Sequence, residues 1–390
     1  MKILLLSQFF STTRGGGEYV FSLIAKNLAD NGHNVWVITN KINDEEYKIH
    51  DDNVKLVFVK PDLQYKGGLP PSFLDNIRYL VNAVSQGLKI IKNEKIDIIH
   101  SNNFAPALAG AILSSLTSKP HITTIHDVFS LCGKNYWKRW GKQSDLSKLN
   151  VWLAPFFEKL MIKLKFNCIH TVSETTRDDL VKFGARKPIH VIHNSIETNV
   201  INNTMPNPLQ FVYVGRLVFY KNIEVAIRAI EIVKKTEPEI KLTIIGSGPH
   251  ENSLKNLVKK IGLEQNIEFK GYVSAQEKSR LITESNALVF PSLCEGFGLV
   301  ILEAFDQSRP VLVSNIRPMS DIVSHEENGF ILDPYNENQW ADCLLRIIRN
   351  PQEATKIGQN GNQLLKTKYN QESMYEKIVN MYSETLKMNK

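Results

Sequence analysis

The stretch that decides the fold is FPSLCEGFGLVILEAFDQSRPVLVSN, which runs from Phe290 to Asn315. The apolar run NALVFPS, which includes its first residues, and the run PVLVS near its end predict two buried strands of a parallel sheet. One loop and one helix lie between them. The loop from Cys294 to Gly298 has two glycines that allow a ligand to approach the backbone, and the helix that begins near Gly298 directs unsatisfied N–H groups towards that ligand. This arrangement suits a phosphate or a polar sugar.

Two glutamates flank the start of this helix. Glu295 lies in the loop, and Glu303 lies in the helix among apolar neighbours. A carboxylate in apolar surroundings needs a partner, which favours a binding role for Glu303. Carboxylates are also common near helix starts, where they are often simply solvated. The spacing alone leaves both interpretations open.

Strand-like runs alternate with helical patterns along the whole chain of 390 residues. This alternation predicts an α/β protein with two doubly wound parallel sheets. The segment from Ile196 to Pro208 is rich in Asn and Pro and is the predicted linker. The predicted domains are therefore 1–196 and 208–371. In two such sheets, ligands bind at the carboxyl ends of the strands.

The E-G-F-G segment with its second glutamate resembles the Glu-x7-Glu segment of retaining glycosyltransferases of family 4, which have the GT-B fold of two Rossmann-like domains facing across a cleft. The resemblance implies that Glu303 binds the ribose hydroxyls of a nucleotide-sugar. It also implies that Glu295, with the backbone after it, holds the sugar; these backbone residues are Gly296, Phe297, Gly298 and Leu299. In such proteins a terminal helix, here predicted within 372–390, crosses back to the first domain.

A glycine cluster follows the first predicted strand. Gly15, Gly16 and Gly17 occupy the position of a phosphate-binding turn but do not form G-x-G-x-x-G. The second strand ends in Thr39 and Asn40 without the acid that binds an NAD ribose, which disfavours a dehydrogenase. The cluster alone is also compatible with a flexible turn. The family resemblance places Gly16 and Gly17 beside the donor phosphates and the acceptor.

The second predicted domain opens with FVYVGRLVFYKN. A strand that ends at Gly215 and Arg216, followed by Lys221, places two cations at the carboxyl edge of the sheet, where they suit a diphosphate. Loop cations are more often solvated, but these two match the diphosphate-binding pair of the family. The chain departs from the family at Asn222 and Ser308, where glycines are usual, and Ser308 puts the local turn geometry in question.

Three further positions come from the same comparison. His126 ends the strand HITTIHD, where a histidine is placed for a ligand, although a lone histidine is more often structural. The matching histidine of the family lies beside the donor sugar. Tyr272 and Val273 follow a strand where the family contacts the base through the main chain. The chain has no D-x-D motif, and since Arg216 and Lys221 supply positive charge, neither a metal nor another cofactor is expected.

The chain has a net charge of +7 and a pI near 9.0. Its basic residues cluster in Lys134 to Lys165, where they are interleaved with aromatic residues. This pattern fits an anionic membrane surface, single-stranded nucleic acid or a solvated face. The membrane is favoured because many relatives act on lipid-linked acceptors, and no nucleic-acid partner is expected. Four scattered cysteines are expected to be reduced thiols. Without a signal peptide or an apolar span, the protein is expected in the cytoplasm, at the inner face of the membrane.

Together these features predict a metal-independent retaining glycosyltransferase. It would move a sugar from a nucleotide diphosphate, with UDP favoured, to a hydroxyl of a glycan or a polyprenyl-linked glycan, as in cell-surface polysaccharide or lipopolysaccharide synthesis. The catalytic candidates are His126, Glu295, Arg216 and Lys221. A phosphorylase or nucleotide-sugar epimerase of similar architecture, and a non-catalytic binding protein, are the alternatives.

Overall fold

The structure, a computed structural model, describes residues 1–12, 15–43, 47, 53–64, 71–133, 136–143, 148–198 and 205–389. In the first half of the chain the strands are β1 Lys2–Leu6, β2 Asn34–Ile42, β3 Val54–Leu63, β4 Ile98–Ser101, β5 His121–Ile125, β6 Cys168–Thr171 and β7 Ile189–Val191. The helices are α1 Gly17–Asp30, α2 Phe73–Glu94, α3 Ala105–Thr117, α4 Tyr136–Gln143, α5 Lys148–Met161 and α6 Glu174–Phe183.

In the second half the strands are β8 Asn207–Val214, β9 Lys241–Ile245, β10 Ile267–Gly271, β11 Ser285–Phe290, β12 Val311–Ser314 and β13 Gly329–Leu332. The helices are α7 Ile223–Val233, α8 Glu251–Lys260, α9 Ala275–Glu284, α10 Leu299–Asp306, α11 Met319–Ile322, α12 Glu337–Arg349, α13 Pro351–Lys368 and α14 Gln371–Met388. Two short 3₁₀ helices span Phe129–Leu131 and Phe219–Lys221.

The described strands form two parallel sheets. The first has seven strands in the order β3-β2-β1-β4-β5-β6-β7, and the second has six in the order β10-β9-β8-β11-β12-β13. The strand order reverses beside β1 in the first sheet and beside β8 in the second, which are the switch points where open α/β sheets bind ligands. The predicted fold class, α/β with two doubly wound parallel sheets, is confirmed. β13 was not predicted.

The central strands are buried because helices cover both faces of each sheet. In β1, Leu4 pairs with Trp36 of β2 and Ile99 of β4, and all three side chains belong to one buried core cluster. Strands of this kind have nearly continuous apolar sequences, and KILLL in β1 is an example. Some helices begin at a polar cap; at the start of α9 the hydroxyl of Ser274 accepts from the N–H of Glu277.

The chain divides into two compact units. Unit 1 comprises 1–133, 147–195 and 371–390, and unit 2 comprises 134–146 and 196–370. Helix α14 therefore belongs to unit 1. Helix α4 belongs to unit 2, whereas the sequence placed it within a continuous domain 1–196. The predicted linker lies partly outside the described residues. None of the helices in the described ranges combines the length and the apolarity that a bilayer crossing requires.

Candidate functional site

The loop from 291 to 298 connects β11 to α10 in unit 2 and is fixed by backbone contacts. Gly298 has a φ of +97° and lies at the N-terminus of α10 without a side-chain cap. The hydroxyl of Ser292 donates to the carbonyl of Cys294 at 3.0 Å, and the N–H of Leu293 donates to the carbonyl of Tyr220 at 2.7 Å. The loop that contains Glu295 is thus joined to the 3₁₀ helix that contains Lys221.

Lys221 and Glu295 form a buried ion pair. The ammonium of Lys221 donates to Oε1 of Glu295, and their side chains are only 11% and 12% exposed. The ammonium also lies 5.2 Å from the ring centroid of Phe290 and 5.4 Å from that of Tyr220. Charges so far removed from water must be neutralised by partners. Sequence reasoning assigned these two residues to different parts of the donor, and the structure pairs them directly.

Glu303 has one partner and one unused oxygen. Its Oε1 accepts from Nζ of Lys278 on α9 at 2.7 Å, whereas Oε2 is buried without a hydrogen-bond partner among the described residues. A buried carboxylate oxygen without a partner is costly, so it is well placed to accept a hydrogen bond from a ligand. The sequence predicted that Glu303 needs a partner but did not identify Lys278. In the sequence, Lys278 is one of several charged residues near the start of a polar helix.

Arg216 follows β8 and Gly215. Its Nη2 donates to the hydroxyl of Tyr220 at 2.9 Å. The backbone around it packs closely against the turn after β9, because a Cβ atom at Gly246 would lie 2.0 Å from the carbonyl oxygen of Gly215 and one at Gly248 would lie 2.4 Å from that of Leu217. Glycine is therefore needed at Gly246 and Gly248 so that the loop that contains Arg216 can keep its backbone conformation.

The two departures from the family pattern both adopt a backbone conformation that suits glycine. Asn222 has a φ of +52° and Ser308 a φ of +53°, both in the left-handed region that glycine adopts most readily. Asparagine tolerates this region better than most residues. Asn222 is also anchored through its side-chain amide, which donates to the carbonyl of Pro334 at 2.8 Å. The left-handed turns therefore form without glycine at either position.

Tyr272 and Val273 directly follow the carboxyl end of β10. Gly271, the last residue of that strand, has a φ of +64°, and its carbonyl accepts from the N–H of Gly246 at 2.7 Å. The side chain of Tyr272 is 54% exposed. These residues lie between β10 and α9, and α9 also contains Lys278, the partner of Glu303.

Unit 1 contains the predicted glycine turn and His126. Gly17 is the first residue of α1, and a Cβ atom there would lie 2.9 Å from Nε2 of His126, whereas Gly16 has open space around it. Nε2 of His126 lies 3.1 Å from Oδ1 of Asn102. Because a carboxamide oxygen only accepts, Nε2 donates and Nδ1 bears the lone pair. Sequence reasoning did not identify Asn102, which follows β4 at the switch point.

Burial lowers the pKa of His126 to about 4, so the imidazole is neutral near pH 7. Three other histidines in the sheet of unit 1 are buried and neutral for the same reason. Burial lowers the pKa of His121 to about 4 and that of His170 to about 3, and it lowers the pKa of His100 strongly. Nδ1 of His100 lies 2.7 Å from the hydroxyl of Tyr382 in α14. His100 and His170 are buried and hydrogen-bonded within unit 1.

The structure divides the basic and aromatic segment between the two units. Tyr136 and Trp140 on α4 are buried in unit 2. On α5 in unit 1, Trp152 is 74% exposed and Phe156 and Phe157 are also exposed. The positions 134, 135 and 144–147 lie outside the described residues. Among the described residues of this segment, the exposed aromatic side chains are therefore those of α5.

Two of the four cysteines, Cys168 and Cys343, are free and buried, as expected. In the part of the chain that the structure describes, no group of three His, Cys, Asp or Glu side chains is arranged to hold a metal.

The candidate residues thus fall into two groups. Unit 1 contains Gly16, Gly17 and His126. Unit 2 contains the larger group, which is Gly215, Arg216, Lys221, Tyr272, Val273, Glu295, Gly296, Phe297, Gly298, Leu299 and Glu303. Contacts join Lys221 to Glu295, and Glu303 to a lysine that the sequence did not single out.

Comparisons with known proteins match both units. Residues 14–200 match the family model described as Glycosyltransferase Family 4, and residues 196–364 match the model described as Glycosyl transferases group 1. An uncharacterized glycosyltransferase of Methanocaldococcus jannaschii is 26% identical, with 100% of this chain and 99% of the relative covered.

Solved structures match the fold over almost the whole chain. Sucrose-phosphate synthase from Thermosynechococcus elongatus has a TM-score of 0.81 and 19% identity, with both chains fully covered. Anabaena HepE in complex with UDP and glucose has a TM-score of 0.77 and 19% identity, covering 98% of this chain and 100% of that one. WaaG, a glycosyltransferase involved in lipopolysaccharide biosynthesis, has a TM-score of 0.71 and 16% identity, covering 98% and 100%.

Proposed function

Because the chain belongs to the glycosyltransferases, with a family 4 domain followed by a group 1 domain, we propose that it transfers a sugar from a UDP-sugar to a glycan hydroxyl with retention of the donor's α configuration. Its GT-B fold of two Rossmann-like parallel-sheet domains is confirmed by the sheet orders and by the solved neighbours. Retention, the nucleotide and the acceptor are the parts of this proposal that go beyond family membership.

The observation that carries the proposal is the unused oxygen of Glu303. Oε2 is buried without a partner among the described residues, while Lys278 fixes the other oxygen. Such an oxygen can accept hydrogen bonds from ribose hydroxyls. Tyr272 and Val273, whose main chain is predicted to contact the base, directly precede α9, the helix that contains Lys278. The HepE structure holds UDP on a similar fold, which supports a uridine nucleotide as the donor.

Arg216 and Lys221 are proposed to bind the donor diphosphate. A guanidinium and an ammonium in the same connection between β8 and α7 match the charge of a diphosphate and stabilise it as it departs. With two fixed cations, the reaction needs no metal to neutralise the leaving group. The N–H groups at the start of α10, after Gly298, add further donors for the phosphate or the sugar.

The proposed chemistry is a displacement on the face from which the diphosphate departs. The acceptor oxygen forms a bond to the anomeric carbon as the bond to phosphate breaks, the electron pair goes to UDP, and a phosphate oxygen takes the acceptor's proton. Glu295 is engaged by Lys221, which supports a positioning role at the sugar over a nucleophilic one. His126, neutral and donating through Nε2 to Asn102, is proposed to contact the donor sugar.

The acceptor is proposed to be a glycan at an anionic membrane surface, as in polysaccharide or lipopolysaccharide synthesis. The support is α5, where Trp152, Phe156 and Phe157 are exposed; the exposed Lys159 lies in the same helix and Lys163 follows it in the sequence. Amphipathic aromatic rings with basic neighbours suit the interface of an anionic bilayer.

A thermal-shift screen against UDP-, GDP- and ADP-sugars tests the donor. The melting temperature should rise most with a UDP-sugar. Proton NMR of the product should then show an α linkage from an α donor. A β product would refute retention, and turnover of the donor without an acceptor would indicate an epimerase. A requirement for inorganic phosphate would indicate a phosphorylase, and binding without turnover would indicate a binding protein.

A further inference from the structure

Helix α4 packs against the loop that contains the two proposed diphosphate ligands, although the sequence places it between β5 and α5 of unit 1. The ring centroid of Tyr136 lies 5.7 Å from that of Phe219 and 5.6 Å from that of Tyr220. The ring of Trp140 lies 6.3 Å from Tyr220. Because Tyr136 and Trp140 are at most 5% exposed, this packing forms part of the core of unit 2.

Trp140 also contacts Arg216 directly. The guanidinium carbon of Arg216 lies 5.6 Å from the ring centroid of Trp140, while Nη2 of Arg216 donates to the hydroxyl of Tyr220 at 2.9 Å. A guanidinium that packs on an aromatic face and is hydrogen-bonded to a second aromatic residue has few orientations left. Its remaining N–H groups are thereby held in a defined direction.

The other end of α4 holds the same loop through polar contacts. The N–H of Phe219 donates to Oε1 of Gln143 at 3.3 Å, and the guanidinium of Arg139 lies 4.1 Å above the ring of Phe219. Nε2 of Gln143 lies 3.0 Å from Nδ1 of His250, whose other nitrogen contacts Glu224 on α7. A 3₁₀ helix of three residues has little stability of its own, so its position depends on such packing.

We propose that α4 is a component of the donor site that fixes Arg216 and the 3₁₀ helix 219–221, and hence Lys221, for the leaving diphosphate. This inference rests on the proposed function and adds residues to it. Trp140 and Tyr136 are positioning residues, since they act through Arg216 and Tyr220. A diphosphate then meets cations that are already oriented, which reduces the ordering cost of binding.

The test compares Trp140→Leu and Trp140→Phe with Trp152→Leu, a matched control on the exposed face of α5. UDP affinity is measured by calorimetry, and donor turnover by initial rates. Trp140→Leu should weaken UDP binding by about three- to thirtyfold, the range expected for loss of a partly desolvated cation–π contact. Trp140→Phe should recover part of the loss because it keeps an aromatic face. Trp152→Leu should bind UDP like the wild type.

A double-mutant cycle separates positioning from general packing. If Trp140 acts through Arg216, Trp140→Leu should weaken UDP binding much less in the Arg216→Ala background than in the wild type. An equal loss in both backgrounds would overturn the inference, as would unchanged UDP affinity in a folded Trp140→Leu protein. If the Leu variant does not fold, Trp140→Phe with and without Arg216→Ala decides by the same criterion.

Tryptophan fluorescence gives a second readout. UDP that binds at Arg216 should change the emission of the wild type and of Trp152→Leu, and this change should be reduced in Trp140→Phe. An identical change in Trp140→Phe would contradict the contact between Trp140 and the ligand-binding guanidinium. Absence of UDP binding to the wild-type protein would instead refute the proposed UDP donor, and this role with it.

Discussion

Replacing Glu303 by glutamine exchanges one carboxylate oxygen for an amide NH₂ group at the position of the oxygen that has no partner. In the wild type Oε1 is held by Lys278 at 2.7 Å and Oε2 is buried without a partner among the described residues. In Glu303→Gln the remaining oxygen keeps the lysine contact, and an amide NH₂ takes the place of Oε2. An NH₂ group cannot accept a hydrogen bond from a ribose hydroxyl. We therefore expect weaker donor binding with little change in fold.

The size of the effect follows from the exposure of the site. A lost charged hydrogen bond is worth about 1.5 to 3 kcal/mol. Because the side chain of Glu303 is 24% exposed, solvent screening favours the lower part of that range, about 1.5 to 2 kcal/mol. This corresponds to roughly ten- to thirtyfold in the dissociation constant for UDP. Since the ribose is unchanged in the reaction, KM for the donor should rise while kcat changes less.

Lys278→Met tests whether the ion pair with Lys278 orients the carboxylate of Glu303. Without the ammonium, the carboxylate of Glu303 loses its fixed orientation, so UDP affinity should fall by less than in Glu303→Gln. Glu277→Gln is the matched control, because Glu277 lies on the same helix and pairs with Arg280 at the surface. Surface pairs of this kind contribute little, and UDP affinity should not change.

Glu295→Gln is expected to affect the reaction differently from Glu303→Gln. Glu295 is proposed to act at the sugar, where charge develops in the transition state, so kcat should fall more than UDP affinity. The melting temperature of this variant must be measured as well, since Lys221 loses its buried partner. If UDP affinity fell in Glu295→Gln and stayed unchanged in Glu303→Gln, the two assigned roles would be refuted.

Three further predictions concern the metal, the membrane and pH. Turnover should persist in EDTA because Arg216 and Lys221 supply the cations, and loss of turnover that magnesium or manganese restores would contradict this. Sedimentation with anionic vesicles should be strong at low salt, weaken as salt screens the charges, and decrease in Trp152→Ser/Phe156→Ser; equal binding to neutral vesicles would count against the proposal. The urea midpoint of unfolding should fall between about pH 7.5 and about pH 5. Burial lowers the pKa values of His121 and His170 from 6.5 to about 4 and about 3. The unfolded chain therefore binds protons at a higher pH than the folded protein does. The free energy of unfolding decreases as the pH falls below 6.5, by up to about 1.4 kcal/mol per pH unit and group. An unchanged midpoint would show that these histidines are not held neutral.

The sequence by itself determined the architecture. The short apolar runs ILLL in β1 and ALVF in β11 alternate with helical patterns, and this alternation predicts central strands of a parallel sheet. The glycines around Glu295 and the charge of Glu303 within an apolar helix also follow from local composition. Even the need of Glu303 for a partner follows from the cost of burying a charge.

Only the tertiary structure decided which groups are partners. Lys278 is 25 positions from Glu303, and Lys221 is 74 positions from Glu295. No local periodicity relates residues so far apart, and a lysine near a helix start looks the same whether it is solvated or paired. The placement of α4 on the loop of Arg216, with the neighbouring aromatic helix α5 left exposed, is of the same kind. Both helices contain aromatic and basic residues. Which of their faces is buried depends on the surfaces that the rest of the folded chain presents to each of them.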